Sequence, residues 1–289
     1  MHSAIYTSLL FNHKITEMEK KRILIVTHEM DPYINLTQAA KIANSLPKYL
    51  QDNGMEIRVL MPKFGNINER RHRLHEVVRL SGINVIINDE DYPLVIKVAS
   101  LPGARLQVYF LDNEDFFKRK AVFEDENNNF YEDNSDRMIF FCKGALETVR
   151  KFGWAPDLIH CFGWMTSLIP MFLKTTYKDD PIFANSKVIY TLSNDYFKNK
   201  LKADFSTQLQ ISDSITKKHV DYFKEGDNKS LNIGGSEFAD ALLVEDNLEE
   251  AMSAYVKKAK GKMVLRLKNN NDEESLPLVS DFYKNILAN

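Results

Sequence analysis

Several groups of side chains in this 289-residue chain have the types and spacing that chemistry needs. His160 stands at the end of the apolar run Leu158 to Cys161, where an imidazole could exchange a proton near neutral pH or serve as a hydrogen-bonded core group. Asn194 follows the run Val188 to Leu192, so its amide is placed either to bind a hydroxyl or to close the turn. The string Tyr131-Glu132-Asp133-Asn134-Ser135-Asp136-Arg137 opens a helical pattern. There Asp133 or Asn134 would cap the helix and Arg137 would pair with a carboxylate. Arg70, Arg71, His72 and Arg73 form a basic run, suited to an anionic partner or to a solvated loop face. Cys142 and Cys161 sit in apolar stretches with neither metal-ligand spacing nor a disulfide framework, which predicts buried, reduced thiols. Gly234-Gly235 falls inside a helical pattern, and no G-x-G-x-x-G string occurs.

Such groups need a scaffold, and the chain alternates short apolar runs with amphipathic stretches as parallel α/β sheets do. A strand at 22–27, a helix carrying Ala39, Ile42, Ala43, Leu46 and Leu50, a turn at Asn53-Gly54 and a strand at 56–61 make one βαβ unit. Four β-rich runs between 75 and 111 lack an intervening helix and predict a β-hairpin insertion at the sheet edge. Residues 112–134 predict a long ordered loop with a turn of helix at 114–118, and long loops usually serve a site. Helices are expected at about 136–152, 166–174, 232–238 and 248–259, and strands at 158–161, 188–192, 241–244 and 263–267. In sheets of this kind ligands gather at the carboxyl ends of the strands, here after residues 27, 161, 192 and 244. Residues 1–21 read as a disordered extension, with a start at Met18 more natural. Residues 22–267 read as one Rossmann-like domain, 268–275 as a linker and 276–289 as a C-terminal helix.

Composition narrows the function classes. With 38 basic and 40 acidic side chains interspersed, the chain offers no basic field for phosphate backbones, so nucleic acid is not an expected partner. No apolar run reaches the roughly 18 residues that span a bilayer, and no cleavable leader is evident, so no membrane partner and a cytoplasmic location are expected.

Six segments in order then resemble the N-terminal domain of glycogen and starch synthases, retaining glycosyltransferases of family 5 that move glucose from a nucleotide sugar to an α-1,4-glucan. They are ILIVTHEMDPY with SLPKYL after it, EIRVLMPKFGNI, VYFLDNEDFF, YEDNSDRMIFFCKGALE, PDLIHCFGWMTSLIPMFLK and IGGSEFADALLVE. The resemblance implies half of a two-domain, GT-B type architecture. It implies no metal or cofactor, a nucleotide sugar as substrate only if the chain is active, and an acceptor glucan held on this half. The residues after 250 are too few for another such domain, which takes roughly 150 residues.

Carried over residue by residue, the resemblance keeps some positions and loses others. Glu29 matches the glutamate of the family's first loop, on the acceptor side. Where the family has Lys-Thr-Gly-Gly-Leu, a phosphate-approaching string, Asn35-Leu36-Thr37-Gln38-Ala39 stand here, without lysine or glycine. Where it has His-Ala-His-Asp-Trp-His, the chain has His160-Cys161-Phe162-Gly163-Trp164-Met165. The first histidine and the tryptophan stay, and the sugar-contacting second histidine becomes Phe162, which has no hydrogen bond to give a hydroxyl. Asn194 keeps the asparagine of a string whose histidine is replaced by Ser193. The Tyr, Asp, Asn and Arg of the 131–137 string persist. Phe117, Phe123 and Phe130 are candidates to stack on sugar rings, or to pack the loop.

The candidate sugar-binding residues are therefore Glu29, Asn35, Asp133, Asn134, Arg137, His160, Trp164 and Asn194, with no catalytic residue assigned. Loss of the cationic and imidazole contacts predicts a non-catalytic glucan-binding or regulatory relative. An active glucosyltransferase completed by a separate donor domain is the first alternative. A protein-interaction scaffold is the second, its open face covered by the C-terminal helix or by a homodimer.

Overall fold

The apolar β-branched runs become strands of one sheet in the computed structural model, which describes residues 20–193, 197–210, 212–246, 248–267 and 274–288. The chain begins with β1 (Arg22–Thr27), α1 (Ala39–Asp52) and β2 (Glu56–Pro62). The one-turn α2 (Glu69–His72), β3 (His75–Glu76), β4 (Ile83–Ile87), β5 (Glu90–Ser100) and β6 (Gln107–Asp112) follow. Next come the short α3 (Glu114–Phe117), the long α4 (Asn134–Phe152), β7 (Leu158–Phe162), α5 (Leu168–Lys174) and β8 (Lys187–Leu192). The remainder holds the one-turn α6 (Phe205–Gln208) and α7 (Lys217–Val220), then α8 (Asn228–Phe238), β9 (Ala241–Val244), α9 (Glu250–Lys258), β10 (Met263–Arg266) and α10 (Ser275–Ala288).

The strands lie in the order β10-β9-β8-β7-β1-β2-β6-β5-β3, with β4 paired to β5. From β10 to β6 every pairing is parallel, and β5 and β3 run antiparallel at one edge. The architecture is thus α/β with a mostly parallel, Rossmann-like sheet. β1 is central, buried from Ile23 to Thr27, and pairs Ile25 with Val59 on one side and with His160 on the other. Such two-sided burial explains its unbroken apolar run. Helices α4, α5 and α8 pack on one face of the sheet, and α1 and α10 lie on the other.

Several expectations shift on contact with the structure. The run at 106–111 is not part of the hairpin insertion. As β6 it pairs parallel with β2 inside the main sheet, and only β3, β4 and β5 form the antiparallel edge. The helix expected at 136 begins at Asn134, and the one expected at 232 begins at Asn228, where the Asp227 carboxylate accepts the Ser230 N–H as a cap. Trp164–Thr166 is a tight 3-10 turn rather than the start of α5. The basic run at 70–73 is ordered as α2 and its left-handed exit, not a plain loop. The extension 1–19 and most of the linker, 268–273, fall outside the described residues, and Ser275 already belongs to α10. Among the described residues no helix is long and apolar enough to cross a membrane.

Candidate functional site

The loop after β1 is folded by its own polar side chains. Thr27 Oγ1 accepts the Glu29 N–H at 3.2 Å and donates to the Glu29 carbonyl at 2.6 Å, turning the chain sharply as the strand ends. Glu29 is 1% exposed, yet its carboxylate is fully engaged. Oε2 accepts the N–H groups of Leu36 at 2.8 Å and Thr37 at 2.7 Å, and Oε1 accepts the Thr37 hydroxyl at 2.5 Å. Charge-assisted bonds to backbone N–H groups are of the stronger kind, about 1.5–3 kcal/mol each. Glu29 thereby supplies the anion at the mouth of α1, whose own N-cap, Gln38, makes no side-chain cap bond. Asn35 is exposed beside this arrangement.

After β7 the backbone makes a turn that only glycine takes easily. Gly163 has φ +79° and ψ 160°, and a Cβ there would collide with Cε1 and Nδ1 of the His28 ring. That imidazole lies 3.9 Å from Glu29 Oε1 and packs against the rings of Phe123 and Trp164. The glycine standing where the resembling string has an aspartate has a local cause: His28 fills the space. Trp164 is 2% exposed and collared by Phe123 and Phe197, with Phe197 stacked on Phe130 at 4.8 Å.

His160 is wholly buried, and both ring nitrogens are engaged. Nδ1 bonds the Tyr283 hydroxyl of α10, and Nε2 bonds Thr191 Oγ1 of β8 at 2.7 Å. Burial pushes its pKa down to about 3, so the ring is neutral and unsuited to protonate a leaving group. Phe162 lies against it with centroids 3.9 Å apart.

The 131–137 string has a different role from the one its residue types suggested. Asp133 precedes α4 without capping it and instead grips Arg119 through both oxygens. Asn134 is buried, donating to the Phe123 carbonyl at 2.9 Å and accepting from Arg137 Nη1 at 2.6 Å. Among the described residues no carboxylate is hydrogen-bonded to Arg137. Its Nε donates to the Phe116 carbonyl at 2.8 Å and its Nη1 to the Val122 carbonyl at 2.6 Å, among the rings of Phe64, Phe117 and Tyr131. Burial holds its pKa down at about 10. The string therefore fastens the long 113–131 loop to the start of α4.

Glu29, Trp164 and the 131–137 string are brought together around His28 and Phe123, but Asn134, Arg137, His160 and Trp164 spend their polar or aromatic surface inside the protein. Asn194 lies outside the described residues. The residues missed from sequence are His28, Thr191 and Tyr283. Only the glycine after β7 signalled that a bulky neighbour must lie close. Among the described residues, no three His, Cys, Asp or Glu side chains are grouped to hold a metal ion.

The family model described as the starch synthase catalytic domain matches residues 22–257. The glycogen synthase of Chlorobium limicola is 36% identical over 231 residues, 78% of this chain and 46% of that protein. That of Chlorobium luteolum is 37% identical over 228 residues, again 78% and 46%. The chain thus spans about half the length of these relatives. The catalytic domain of starch synthase IV from Arabidopsis thaliana, solved with ADP and acarbose, superposes with a TM-score of 0.70 at 17% identity, covering 88% of this chain and 52% of that one. The fold and these matches together place the chain in the starch synthase catalytic domain family.

Proposed function

We propose that this chain is a glucan-binding or regulatory relative of glycogen synthase that does not itself transfer glucose. One observation carries the reading: the Asn35–Ala39 segment holds neither the lysine nor the glycines of the string it resembles, and its Leu36 and Thr37 N–H groups are already taken by the Glu29 carboxylate. An incoming phosphate would meet a buried carboxylate in place of free donors, with no lysine in the Asn35–Ala39 segment to offset the charge. Electrostatic stabilisation of the departing diphosphate is usually the largest catalytic contribution, and this loop does not supply it. Phe162 and the inward-turned His160 support the same view, since neither offers a donor to a sugar hydroxyl.

Isothermal titration of the chain with maltooligosaccharides and with ADP-glucose and UDP-glucose tests the reading. Heat from the glucans alone supports it. Incorporation of labelled glucose into glycogen by the purified chain would overturn it.

A second reading, a transferase completed by a separate donor-binding chain, is favoured by the 36–37% identity to glycogen synthases over the matched half. It requires that cell lysate restore glucose incorporation to the purified chain.

A further inference from the structure

A groove of about 530 Å³ lies on the edge of the domain, Glu29 is not among its lining residues, and its walls carry Arg71, His72 and Arg73 of the basic run. Tyr33 of the β1–α1 loop, Arg71, His72 and Arg73 at α2, His75 of β3 and Ser100 of β5 line it. The volume falls within the roughly 300–1,000 Å³ of small-molecule sites.

The local fold concentrates positive charge here. Asn68 Oδ1 accepts the Arg71 N–H at 2.9 Å and starts α2. Arg73 then leaves the helix in the left-handed conformation, φ 55°, which non-glycine residues rarely adopt. That reversal is closed by the Leu74 N–H on the Glu69 carbonyl, and Arg71, Arg73 and His75 on either side of it all line the groove. The carboxylate of α2 does not neutralise them, because Glu69 is held by Lys63 at 2.7 Å and Lys97 at 2.8 Å. Glu76 follows His75 in β3, so strand alternation turns it to the other side. Among the described residues no carboxylate pairs with Arg71 or Arg73. The floor is firm: Tyr33 donates its hydroxyl to the Ser100 carbonyl at 3.4 Å and packs edge-on against His72 and Phe110.

We infer that this groove binds a dianionic phosphate group, its guanidinium groups gripping the dianion as such groups do in bidentate pairs. Inorganic phosphate and the phosphate of a sugar ester share this chemistry. The inference does not rest on the glucan reading, and failure of either leaves the other standing.

Titration of the full chain with inorganic phosphate and with glucose 6-phosphate, followed by calorimetry, tests it. Saturable binding of at least one probe is expected. The Arg71→Gln/Arg73→Asn variant, whose asparagine suits the left-handed position, should weaken binding by about tenfold for each guanidinium removed. Arg70→Gln, on the same helix but outside the groove, should change affinity less than about twofold. Tighter binding of the sugar ester assigns the ligand to that class, and tighter binding of inorganic phosphate assigns it to free phosphate. Absence of saturable binding by either probe overturns the site, as does equal weakening in the Arg70 variant and the double variant, which would mark a diffuse field.

Discussion

The contact between Gly163 and His28 offers a quantitative check on how the strand ends are built. In Gly163→Ala the new methyl would lie far inside the 3.0 Å that real Cβ atoms keep from other heavy atoms, on the imidazole of His28. That ring cannot withdraw freely, being 1% exposed and wedged against Phe123 and Trp164. Two costs add. The backbone at φ +79°, ψ 160° is essentially reserved for glycine, at about 1–3 kcal/mol, and overpacking a filled core costs about 1–3 kcal/mol more. The single variant should therefore lose about 2–6 kcal/mol, measured by urea denaturation followed by circular dichroism. In a His28→Ser background the steric part disappears and the backbone part stays. A double-mutant cycle should return about 1–3 kcal/mol of coupling. If Gly163→Ala costs the same with and without the imidazole, the steric account is wrong, and so is the claim that His28 dictates the residue at 163.

Three other perturbations follow from the buried polar groups. Tyr283→Phe removes the hydroxyl bonded to His160 Nδ1 and should cost about 1–3 kcal/mol, read as a lower thermal midpoint; an unchanged midpoint would deny the bond a stabilising role. His160 is neutral in the fold down to about pH 3, whereas its unfolded counterpart gains a proton below about 6.5. Its contribution is thus complete above pH 6.5 and is lost on acidification, at up to about 1.4 kcal/mol per pH unit. Melts between pH 7 and 5 should show this slope, reduced by about one proton in His160→Gln. Arg137→Met leaves the Phe116 and Val122 carbonyls without their donor and should cost about 2–4 kcal/mol. Faster protease cleavage within 113–131 would report it, and an unchanged cleavage rate would contradict the stapling role.

The sheet was legible because β1, β7, β8 and β9 are short apolar runs buried on both faces, which leave a plain mark in sequence. β6 was misplaced for a related reason: Gln107–Asp112 carries the same β-rich signal as the hairpin beside it, and only pairing with β2 reveals its membership. The site was less readable. A histidine, an arginine and an asparagine look alike in sequence whether their polar atoms face solvent or a neighbouring carbonyl. Arg137 is the sharpest case, since its partners are main-chain oxygens, which no residue type announces. His160 depends on Tyr283, and no local pattern ties a strand end to a helix that far along the chain.

The bond between Tyr283 and His160 joins positions 123 residues apart, and Val279, Phe282 and Ile286 are buried alongside it. During synthesis at about 5–20 residues per second, β7 leaves the ribosome well before the helix that satisfies its imidazole. Until α10 emerges, the nascent sheet carries an unsealed apolar face, and that interval is when a chaperone would have the most to hold.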